Sequence, residues 1–145
     1  MNLNYALVTL LVLPCIGLAA DFPPPGECPQ PRFTGKAPAT VYKLENPLSA
    51  NNRNLKAGKR FYEKGTQPSC ASCHGSKGDG KGAMASMFNP PPRNFACSET
   101  VNGIPDGQLY WIIKNGSPGT SMPDHRGLSD EELWQLVLYI RELSH

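Results

Sequence analysis

Two thiols and an imidazole stand almost side by side in Ser69-Cys70-Ala71-Ser72-Cys73-His74, and the glycine-rich run "GSKGDGKG" follows. Three chemistries use donors of these types. A tetrahedral zinc site would draw on Cys70, Cys73, Cys97 and His125, but the second pair lacks the compact spacing of the first. Thiol–disulfide exchange wants a βαβ setting around C-x-x-C, and no alternating strand pattern is present. The third is C-x-x-C-H as a covalent haem attachment. There the two sulfurs add to porphyrin vinyl groups as thioethers, the two-residue spacer sets their separation, and His74 reaches the iron from one face. A single motif of this kind in 145 residues points to one covalent haem c.

The remaining cysteines fit an exported chain. Residues Tyr5 to Ala20 are apolar and end in Gly17-Leu18-Ala19-Ala20 before Asp21, which reads as a signal peptide over 1–20. The run is shorter than the ~20 apolar residues of a membrane span, so no span is expected in the mature form. Positions 1–20 contain no Lys or Arg, which departs from the usual leader, and Pro14 before Cys15 argues against a lipid-attachment cysteine. Once the leader is gone and C-x-x-C is used, Cys28 and Cys97 remain, either as a disulfide or as two buried thiols. The compartment expected is the periplasm.

Positioning these groups falls to short helices. Residues 21–48 carry "DFPPPGECPQPRF" and "GKAPATVYKLENP", proline-rich and without an apolar period, and read as an extended arm laid over a domain at 49–145. "NNRNLKAGKRFYEKG" starts on capping Asn residues and places Leu55, Gly58, Phe61 and Tyr62 at helical spacing. "DGQLYWIIKNG" gives a second helix, with Asp106 as cap, Gly116 as stop and Leu109, Ile112 and Ile113 inward. "SDEELWQLVLYIREL" opens with Ser129 three residues before Glu132 and sets Leu133, Leu136, Val137 and Ile140 on one face. The loops between are poor in apolar residues and too long to pack on themselves, which implies that they wrap something. Lys plus Arg total 14 against 12 Asp plus Glu, a balance that gives no case for nucleic acid as partner.

From about Asn51 to the C-terminus, the motif Cys70-Ala71-Ser72-Cys73-His74-Gly75 with its flanking helices resembles the class I c-type cytochromes. The resemblance implies an all-α fold, a small cytochrome c fold of about three to five short helices wrapped around the haem. In that family an N-terminal and a C-terminal helix cross through a glycine and aromatic rings, and Gly58 with Tyr62 against Trp134, Leu136 and Tyr139 look like those contacts. The resemblance also places a methionine ligand in the loop "GSPGTSMPDHRG", where Met122 stands, with Thr120, Ser121 and Pro123 beside it to fix the sulfur. Met84 and Met87 in "KGAMASMF" look like a face packed over haem or core, and His125 is the alternative that would give a bis-imidazole iron. One of Pro90, Pro91 and Pro92 would orient His74 through its carbonyl. Arg93, Tyr110 and Trp111 are candidates for the haem propionates, and Lys77, Lys81 and Lys114 for steering an acidic partner, with ordinary solvated charge as the alternative.

If protein side chains fill both faces of the iron, small molecules are shut out and only electrons exchange. The sequence therefore reads as a periplasmic, non-enzymatic electron carrier, monomeric or in transient complexes with a redox donor and acceptor. The alternative is a dedicated cytochrome subunit of a larger oxidoreductase, with the arm as its docking surface.

Overall fold

The arm and the helices meet through side chains that the sequence spaces far apart. The computed structural model describes residues 23–30 and 34–144. The leader and Cys15 lie outside them. The described residues form α1 (Ala39–Tyr42), α2 (Asn52–Lys64), α3 (Cys70–His74), α4 (Ser98–Val101), α5 (Asp106–Asn115) and α6 (Asp130–Leu143), with a 3-10 turn at Ala85–Met87. No strand occurs among the described residues. The helices number one more than the upper expectation, because α1 and α4 are single turns of four residues each.

Helix α2 starts where Asn51 accepts from the Asn54 N–H at 3.0 Å and stops at Gly65. Helix α6 starts on the expected capping box: Ser129 accepts from the Glu132 N–H, and the Glu132 carboxylate accepts from the Ser129 N–H. Three acidic residues in its first turn and Arg141 in its last suit the helix dipole. Helix α5 departs from expectation at its start. Pro105 precedes it without a side-chain cap, and Asp106 is its first helical residue. The Asp106 carboxylate instead accepts from Arg141 Nε at 2.8 Å, while Arg141 also donates to the Val101 carbonyl at 2.8 Å and to the Ile104 carbonyl. One guanidinium thus ties the end of α6 to α4 and the start of α5.

The first and last long helices cross at Gly58. A Cβ there would run into the Gln135 carbonyl oxygen and lie 2.9 Å from Tyr139 Cβ, so the two backbones approach this closely only through glycine. Fully buried Tyr62, one turn on, meets Tyr139 edge to face with ring centroids 5.4 Å apart. Trp134 does not join this crossing as expected. It stacks on Tyr110 of α5, with centroids 4.4 Å apart, because its position on α6 faces the other neighbour. Leu133, Leu136, Val137 and Ile140 are all buried, as the period required.

The arm is laid over the domain, but with the short α1 inside it. Buried Gln108 of α5 accepts from the Ala37 N–H at 2.8 Å and donates to the Gly35 carbonyl at 2.8 Å. The Gly107 N–H donates to the Leu44 carbonyl, and a side chain at 107 would collide with the Val41 carbonyl. Asn46 donates to the Trp134 carbonyl at 2.9 Å. Further back, Cys28 and Cys97 are joined in a disulfide with Cα atoms 5.6 Å apart. Closing a separation of 69 residues is worth roughly 4 kcal/mol in the chain-entropy picture.

Candidate haem site

Helix α3 is only five residues long, so nearly all its carbonyls lack a helical partner. The glycine-rich loop after it supplies them. The N–H groups of Met84, Gly82 and Gly80 donate to the carbonyls of Ser72, Cys73 and His74 at 2.9, 3.1 and 2.8 Å. Ser69 caps the other end by accepting from the Ser72 N–H. From the core side, the Tyr62 hydroxyl donates to the Gly75 carbonyl at 2.7 Å. Burial raises that phenol well above its ordinary range, so it stays a donor. Tyr62→Phe leaves a buried carbonyl without its partner, and the expected cost is about 1–2 kcal/mol in denaturant unfolding of the loaded protein.

On this frame Cys70, Cys73 and His74 line one cavity, a concave and mostly apolar hollow of the kind that takes a cofactor. The two cysteines lie three apart on a helix and so share a face. Burial pushes the Cys70 thiol up to about 11, the opposite of the lowered value that a redox-active C-x-x-C nucleophile needs. The zinc set fails as well. Cys97 is held in the disulfide, and no cluster of three or more metal-binding side chains occurs among the described residues. Much of the remaining wall is apolar, including Phe95, Val101, Leu109, Ile112, Ile113 and Ile140.

His74 Nδ1 lies 2.9 Å from the Arg93 carbonyl oxygen. A carbonyl can only accept, so Nδ1 carries the proton and, in the neutral ring, Nε2 is the unprotonated nitrogen. The orienting carbonyl is therefore Arg93's and not one of the preceding proline carbonyls, because the chain comes into reach of the imidazole only after the proline run. Phe95 stacks on the His74 ring, with centroids 4.4 Å apart at 17°. No local residue pattern points to that contact.

Met122 lines the same cavity. Its loop is fixed by backbone contacts: the Ser117 N–H donates to the Met122 carbonyl at 3.2 Å, and the Met122 N–H donates to Thr120 Oγ1 at 3.2 Å. Thr120 thus has the supporting place expected of it. His125 also lines the cavity, its N–H donating to the Ile113 carbonyl at 3.2 Å, and burial holds its imidazole below the ordinary range. Met84 and Met87 are not part of the wall, and Met87 stands 71% exposed on the 3-10 turn, not packed into the core.

The other supporting residues divide. Arg93 lines the cavity and donates from Nη1 to the Gln30 carbonyl at 2.9 Å. Tyr110 is turned away, its hydroxyl donating to Asp130 at 2.6 Å, and neither it nor Trp111 lines the cavity. Lys114 is committed to Asp130 at 2.7 Å, whereas Lys77 and Lys81 are exposed.

Residues 53–140 match the family described as cytochrome c oxidase, cbb3-type, subunit III. The chain belongs to this family of c-type cytochromes. Among solved structures, the cytochrome is similar to the reducing HAO-like protein complex of Kuenenia stuttgartiensis, with 32% identity, a TM-score of 0.60 and 72% of the chain covered. It matches 49% of that structure's chain, about half its length. The family implies haem c and electron transfer, and the residues in the cavity fit that group. Two thiols on one helix face, an imidazole with its lone pair on Nε2 and a thioether share an apolar hollow. No helix among the described residues is long and apolar enough to cross a membrane.

Proposed function

We propose that the cytochrome is a periplasmic carrier of one electron on a single haem c. Cys70 and Cys73 would hold the porphyrin as thioethers, and His74 Nε2 and the Met122 sulfur would hold its iron. The haem supplies the one-electron couple. The chain does the rest: the Arg93 carbonyl keeps the Nδ1 proton in place, Phe95 fixes the ring plane, and the apolar wall keeps water from the site. The observation that carries the reading is His74, tautomer fixed, in one cavity with both thiols and Met122. Were His74 and Met122 both to hold the iron, no position would be left for a substrate, and the role would be electron transfer without catalysis.

The periplasmic assignment draws support from the disulfide beside a haem-attachment motif, since both belong to chemistry outside the cytoplasm. A second reading, a dedicated subunit of a larger oxidoreductase, is favoured by the similarity to a protein complex and by the arm fastened along α5 and α6. Reductive titration of the purified protein is expected to take up one electron per chain. Gel filtration of the native extract separates the two readings, with a small haem-containing species for the carrier and a large stable one for the subunit. Uptake of two or more electrons per chain would overturn the single-haem assignment.

A further inference from the structure

Among the described residues of the arm, Thr34 lines the cavity, and buried Gln30, two positions beyond the bridged Cys28, holds the chain that forms its wall. Its carboxamide is used twice on one stretch of chain: Nε2 donates to the Pro92 carbonyl at 3.3 Å, and Oε1 accepts from the Asn94 N–H at 2.7 Å. Its backbone carbonyl accepts from Arg93 Nη1 at 2.9 Å, and its N–H donates to Thr100 Oγ1 at 3.0 Å. The Asn94 side chain adds a second thread, donating to the Gly26 carbonyl at 2.9 Å.

These contacts fall on the two peptide planes that flank the Arg93 Cα. The Arg93 carbonyl and the Asn94 N–H belong to one rigid plane, so a bond that pins the N–H also aims the carbonyl. The Pro92 carbonyl fixes the plane before it in the same way. The carbonyl aimed by this double grip is the one that accepts from His74 Nδ1.

We infer that the disulfide-anchored arm, acting through Gln30, sets the His74–Arg93 hydrogen bond and with it the donor strength of the axial imidazole. The inference rests on the reading of His74 as an iron ligand. A firm Nδ1–H···O=C bond makes the imidazole a stronger donor and favours ferric iron, so loosening it favours ferrous iron. Gln30 is a positioning residue, and the arm becomes part of the redox centre's tuning.

The test uses full-length, haem-loaded protein carrying Gln30→Ala. The ferrous-to-ferric ratio at fixed ambient potential should rise by up to about tenfold, equivalent to about 59 mV for one electron, and the His74 Nδ1 proton should exchange faster with solvent. The Cys28→Ser/Cys97→Ser protein, with the arm cut loose at its anchor, should move the same way. That second measurement decides the matter if Gln30→Ala does not fold. Asn46→Ala frees the arm at α6 instead, and should lower the melting temperature with the midpoint unmoved. A midpoint and Nδ1 exchange unchanged in both arm variants, or an equal shift in Asn46→Ala, would overturn the inference. Wild-type His74 ring protons lacking the large shifts of an iron ligand would instead remove the axial reading, and the inference with it.

Discussion

Cys70→Ala/Cys73→Ala protein is expected to emerge from expression with no tetrapyrrole mass on the polypeptide and without a cooperative unfolding transition. The reason is the hollow that α3, α5 and α6 enclose. Its walls include Ile112 together with Val101, Leu109, Ile113 and Ile140, core residues that pack on their neighbours and border the hollow on their remaining side. Unfilled apolar space costs about 24 cal/mol per Å³, so even about 100 Å³ left dry would cost about 2–3 kcal/mol, a large share of a small domain's stability. The chain therefore needs the porphyrin as part of its core, and the thioethers keep it there. Intact-mass spectrometry and circular dichroism during denaturant titration check both halves of the expectation. Cys28→Ser/Cys97→Ser is the matched control, expected to keep its haem and lose roughly 4 kcal/mol. A cooperative transition in the Cys70/Cys73 variant would show that the walls close on themselves.

For Met122→Ala, the midpoint should fall by a few tenths of a volt, a fraction of the ~0.8 V span that axial ligands command. The reduced variant should also bind carbon monoxide rapidly where the parent does not. The argument is geometric as well as electronic. The loop backbone is held by Ser117 and Thr120, so truncating the side chain opens a coordination position without releasing the loop. A thioether is soft and favours ferrous iron, and its loss removes that preference. Redox titration with parallel absorption spectra gives both readouts. Parent-like values would move the ligand elsewhere, and His125, on the same wall, is the first residue to examine.

Helices α2, α5 and α6 were legible because caps, stops and a 3.6-residue period are written in residue types. Ser129 with Glu132 marked the start of α6, and Gly58 marked a close crossing. The single turns α1 and α4 were not legible, since four residues carry no period. The four candidate donors, Cys70, Cys73, His74 and Met122, could be named because thiol, imidazole and thioether are side-chain chemistry. The Arg93 carbonyl could not, because every residue has a carbonyl and only the path of the chain decides which one arrives at His74. Residue type and spacing make Tyr62 a packing residue alone. Its hydroxyl on Gly75 depends on where α3 ends relative to α2, which no local pattern encodes. The stacking of Trp134 on Tyr110 is hidden for a similar reason: a period tells which residues are inward but not which neighbour they meet.

The Gly58 crossing has a bearing on the order of assembly. Asn54 and Gln135 bond across a sequence separation of 81 residues, so α2 finds its partner only after the chain has been made through α6. Such high contact order slows the final closure. Until α6 docks, the hollow lacks the wall that Ile140 provides, leaving an open side through which a flat macrocycle can be presented to Cys70 and Cys73. The topology thus builds a loading interval into biosynthesis, one that ends when the C-terminal helix shuts against glycine.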